Sequence, residues 1–62
     1  MAELSTEIIE AARASILEEP PERAAFERLI ALCAKQDVLL TVVTNVAMRQ
    51  LVAEGILVRG PQ

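Results

Sequence analysis

Few side chains in this 62-residue sequence can do chemistry. Cys33 is the only thiol, and there is no histidine to serve as a base near neutrality. Gly55 and Gly60 are the only glycines, so no glycine-rich loop exists to cradle phosphate. One cysteine without histidine cannot hold a structural zinc, and neither a metal nor a cofactor is expected. Glu18-Glu19 is the one adjacent acid pair, but two acids before Pro20-Pro21 read as a solvated turn. The other carboxylates fall mostly on exposed helix faces, where nothing raises a pKa toward catalytic use. Cys33 keeps helical register with Phe26, Leu29 and Ile30, so it reads as a small core hydrophobe. Lys35, two residues on, points to another side of the helix and cannot activate the thiol. The residues exclude the usual enzyme classes, and a non-enzymatic protein is expected.

What remains is a polar constellation, Thr41-Thr44-Asn45-Arg49. On a helix these residues form one stripe, either a contact surface for nucleic acid or protein, or simply the solvent side. The stripe lies in the least ordinary part of the chain. Between Val38 and Met48 there is not one charged residue.

Three helices must position these groups. The first is expected over 6–18, with Ser5 as its cap, Glu7 in its first turn and Leu4 stapled onto Ile9. Ile8, Ile9, Ala12 and Ile16 share its apolar face. Pro20-Pro21 stops it, and Pro21 can open the next helix, where a missing amide costs nothing. The second helix is expected over 21–35. Phe26, Leu29, Ile30 and Cys33 form its stripe, widened by Ala25 and Leu32, with Arg23 and Glu27 as an i, i+4 pair. Residues 38–54 are more ambiguous. Val38, Val42, Val43 and Val46 are β-branched, and 38–43 alone would pass for a buried strand. The run Ala47 to Glu54 favours a helix, capped by Asp37 or Thr41 at its start and by Gly55 at its end. Such a helix would be buried on most sides. Ile56-Leu57-Val58 reads as a short extended segment, followed by a tail from Arg59 to Gln62.

Composition sets the remaining bounds. The chain is 53% hydrophobic but 2% aromatic, with Phe26 its lone ring, which suits close packing of small aliphatic helices. A domain this small buries only about 60% of its unfolded surface and usually needs a staple. A single cysteine rules out an internal disulfide, so association with a second chain is the expected stabiliser. The net charge is −3, unevenly spread. Residues 1–28 carry seven acids against three arginines, giving −4, while residues 29–62 carry three bases against two acids, giving +1. This disfavours a large phosphate-binding footprint and is compatible with a basic protein partner. Met1-Ala2-Glu3-Leu4 has no basic segment leading into an apolar run, and the uncharged stretch is too short to span a membrane. A cytoplasmic, membrane-free setting is expected.

One segment carries a family resemblance. The run from Thr44 to Arg59 (Thr44-Asn45-Val46-Ala47-Met48-Arg49-Gln50-Leu51-Val52-Ala53-Glu54-Gly55-Ile56-Leu57-Val58-Arg59) resembles the recognition helix and first wing strand of GntR-like and MarR-like winged helix-turn-helix repressors. The resemblance implies DNA binding, with Thr41, Thr44, Asn45 and Arg49 facing the major groove. The turn Lys35-Gln36-Asp37-Val38 lacks the family's glycine, and the helix carries one Arg and no Lys beneath an acidic half.

The sequence therefore predicts an all-α, three-helix compact domain over residues 1–62, with a short C-terminal extended segment and a tendency to dimerise. Its function is expected to be protein–protein interaction, as a homodimer that binds and modulates a larger protein. The alternative is a minimal winged-helix-like DNA-binding regulator. The predicted partner interface is Leu39, Val42, Val43, Val46, Leu51, Val52, Ile56 and Leu57.

Overall fold

A computed structural model describes residues 4–58. It holds α1 (Thr6–Leu17), α2 (Ala24–Gln36) and α3 (Leu40–Ala53), and there is no strand among the described residues. The helical architecture read from the sequence is therefore present. The extended segment is not.

α1 is the central element. It packs along both α2 and α3, whereas α2 and α3 scarcely meet. The result is a thin molecule of 35 × 31 × 18 Å. Ile8, Ala11 and Ala12 of α1 meet Leu29 and Cys33 of α2 and Val43 and Ala47 of α3 in one core. Leu51 is also fully enclosed. The alanines matter because small side chains let helix backbones approach closely, which suits a core without a fully buried ring.

Each helix end has a definite cause. Ser5 caps α1, accepting a hydrogen bond from the Ile8 amide at 3.2 Å. The same hydroxyl donates to Gln36 Oε1 at 3.0 Å, tying the start of α1 to the end of α2. Leu4 and Ile9 both pack against the core. α2 begins at Ala24, not Pro21, because the Pro20-Pro21 pair lies in a turn closed by the Glu22 amide donating to Glu19 O. Its N-cap residue, Arg23, supplies no side-chain cap. Glu18 does so instead, from the end of α1. Its carboxylate accepts from the Ala25 amide at 3.0 Å and the Phe26 amide at 3.4 Å. The Glu18-Glu19 pair is thus not merely a solvated turn, since one of its members ties two helices together.

This contact makes a direct prediction. Glu18→Ala frees two amides at a positive helix end and is expected to cost about 1–2 kcal/mol. Glu19→Ala, outside that contact, should stay within about 0.5 kcal/mol. Paired thermal melts check the difference, and equal melting temperatures would remove Glu18 from the capping role.

The α2–α3 connection departs most from expectation. Asp37 does not cap α3. It adopts the left-handed conformation (φ 57°) and ends α2, where its amide and that of Val38 both reach Cys33 O. Aspartate is among the few side chains that tolerate this region, so it occupies the place of the glycine missing from the turn. α3 then starts at Leu40, with Leu39 as an N-cap that makes no side-chain bond. At the other end Gly55 turns the chain back at φ 80°. The Gly55 amide reaches Val52 O, and the Ile56 and Leu57 amides both reach Leu51 O. These bonds form a Schellman closure. Ile56 and Leu57 therefore spend their amides on the end of the helix and cannot form the predicted strand. Residues 59–62 of the expected tail lie outside the described residues.

Two further side-chain expectations change. Ile30 is 45% exposed, off the buried stripe of Leu29 and Cys33. Arg23 lies over the Phe26 ring, 5.6 Å from its centroid, and does not pair with Glu27.

Candidate functional site

The residues that could meet a partner lie on α3. Its inward side is set by Val43, Ala47 and Leu51, all completely buried. This corrects two of the predicted interface positions: Val43 and Leu51 are sheltered by their own chain, and a partner docking on the folded protein cannot reach them. It also corrects the expectation of a helix buried on most sides. α3 is covered along one face only.

Arg13 of α1 holds that face in place. Its guanidinium donates to both Glu54 carboxylate oxygens, at 2.7 and 2.6 Å, and to Gln50 Oε1 at 3.0 Å. The hydrogen bonds from Arg13 hold the Glu54 carboxyl below its ordinary pKa and raise that of Arg13. Two parallel bonds between planar groups fix orientation more than a single contact does. The last turn of α3 is thereby locked onto α1.

On the outward side the remaining predicted interface residues divide by exposure. Leu39 is 71% exposed, Val42 45% and Ile56 50%, while Val46, Val52 and Leu57 are half-buried. Leu39, Val42, Val46, Arg49 and Ala53 recur at alternating spacings of three and four, the spacing of a two-helix seam. This pattern was not recognised in the sequence, because the core residues Val43, Ala47 and Leu51 interleave with it. Only knowing which face is buried separates the two sets.

The polar stripe is dispersed by the same geometry. Thr41, Asn45 and Arg49 are exposed. Thr44 is half-buried, and its hydroxyl donates to Leu40 O at 2.8 Å, so it is satisfied within the helix. Asn45 and Arg49, with Met48, Val52 and Ala53, line a shallow open groove. Among the described residues Arg49 has no ion-pair partner; the pairs there are Arg13–Glu54 and Arg28–Glu7.

Neither chemical candidate gains a site. Cys33 lies in the core, 6% exposed, and burial pushes its thiol pKa up. A raised pKa keeps the sulfur protonated, the reverse of what a reactive thiol needs. No group of three or more potential metal ligands converges among the described residues, and no helix there is long and apolar enough to cross a membrane.

Comparison with family models, with curated proteins and with solved structures finds no match for the chain. The winged-helix resemblance therefore rests on the residues 44–59 alone. Within that segment residues 44–53 belong to α3, and the Ile56 and Leu57 amides close its C-terminal end.

Proposed function

We propose that this protein is a non-enzymatic interaction module that acts as a homodimer and modulates a larger protein by binding to it. The observation that carries this reading is the outward face of α3. Leu39 and Val42 stand exposed three residues apart, and the half-buried Val46 follows one turn further along. Leu17 on α1, Ile30 on α2, Met48 elsewhere on α3 and Ile56 and Val58 beyond it are also exposed, and single exposed hydrophobes require no explanation. A strip at seam spacing on one helix does require one. Outside it, α1, α2 and the turn between them present Glu7, Glu10, Glu22 and Glu27 to solvent, a surface suited to a partner with basic character.

Light scattering on the full chain at micromolar concentration tests the first step. The expected mass is twice 6.7 kDa. Leu39→Glu, at a position that is already mostly exposed, should give a folded monomer with unchanged helical circular dichroism. A monomeric parent chain would end the dimer reading.

A second reading is supported by the exposure of Thr41, Asn45 and Arg49 on the same helix: DNA contact through α3. The net charge of −3 weighs against it, because phosphate contacts supply much of the affinity of such domains. Its test is retention on mixed-sequence duplex at low ionic strength. Binding that vanishes with Arg49→Ala and with added salt would move this reading ahead.

A further inference from the structure

We draw no further inference here: the strongest candidate, the outward face of α3 with exposed Leu39 and Val42 and the shallow groove lined by Asn45 and Arg49 on the same helix, carries nothing beyond the reading above, because nothing in the structure shows what covers it.

Discussion

Leu51→Ala is expected to unfold much of the population at room temperature. Leu51 is completely buried, and only Ile8, Leu29 and Val43 join it among the largest fully enclosed side chains. Truncating a buried leucine costs about 2–5 kcal/mol, part lost transfer energy and part cavity. A 62-residue domain has only about 3–9 kcal/mol in total, at 0.05–0.15 kcal/mol per residue. The cavity would open where α1 and α3 are braced by the Arg13–Glu54 bonds, which limits how far the helices can close over it. For a domain of this size each kcal/mol moves the melting temperature by about 4–8 °C, so a fall of at least about 10 °C is expected. The comparison variant is Met48→Ala, on the same helix but 44% exposed, where the loss should stay below about 1 kcal/mol. Both should be melted at equal protein concentration, because any self-association makes the melting temperature depend on it. Similar melting curves for the two variants would mean that Leu51 is not in the core.

The sequence shows the helices clearly and their ends unevenly, and the reason differs from one junction to the next. Ser5 followed by Thr6-Glu7-Ile8 is a local signal: the cap and the amide it serves are three residues apart, and α1 starts where that spacing places it. Glu18 serves amides seven and eight residues away, across a proline turn. No short-range rule links those positions, and the start of α2 was accordingly displaced by three residues. Asp37 illustrates a conflict between two local rules. It is a good N-cap residue, and it also tolerates left-handed backbone, so one side chain fits the end of α2 and the start of α3 equally well. The three-residue link from Gln36 to Leu40 leaves room for only one of the two.

The face assignment on α3 was less legible still. Apolar residues run almost all the way round the helix, and such a pattern has no marked direction. Periodicity alone cannot then say that Val43, Ala47 and Leu51 point inward while Leu39, Val42 and Val46 point outward. The direction comes from tertiary constraints, chiefly Arg13 gripping Gln50 and Glu54, neighbours of the buried Leu51. Ile56 and Leu57 failed for a different reason. Three aliphatic residues after a glycine satisfy the composition of a strand, but their amides were already required by the carbonyl of Leu51.

That division of α3 makes adjacent valines behave in opposite ways. Val43→Asp is expected to abolish folding. The side chain is 0% exposed, the only polar side chain in its core cluster is the weakly donating Cys33 thiol, and burying an unpaired carboxylate costs several kcal/mol even if it takes up a proton. Raising the pH through the carboxylate range should worsen the effect, because folding would then require protonation that solvent no longer supplies. Val42→Asp replaces a side chain 45% exposed, about 100° round the helix, and should cost the monomer no more than about 1 kcal/mol. Under the homodimer proposed above, its effect falls on association instead, since it would set a carboxylate against the second copy. Circular dichroism and light scattering on the two variants together read both outcomes: one chain without helical signal, the other helical and monomeric. If Val42→Asp stays helical and dimeric, the contact does not run through this face. If Val43→Asp folds, the core is not where α1, α2 and α3 converge, and the distinction between the two sides of α3 is lost with it.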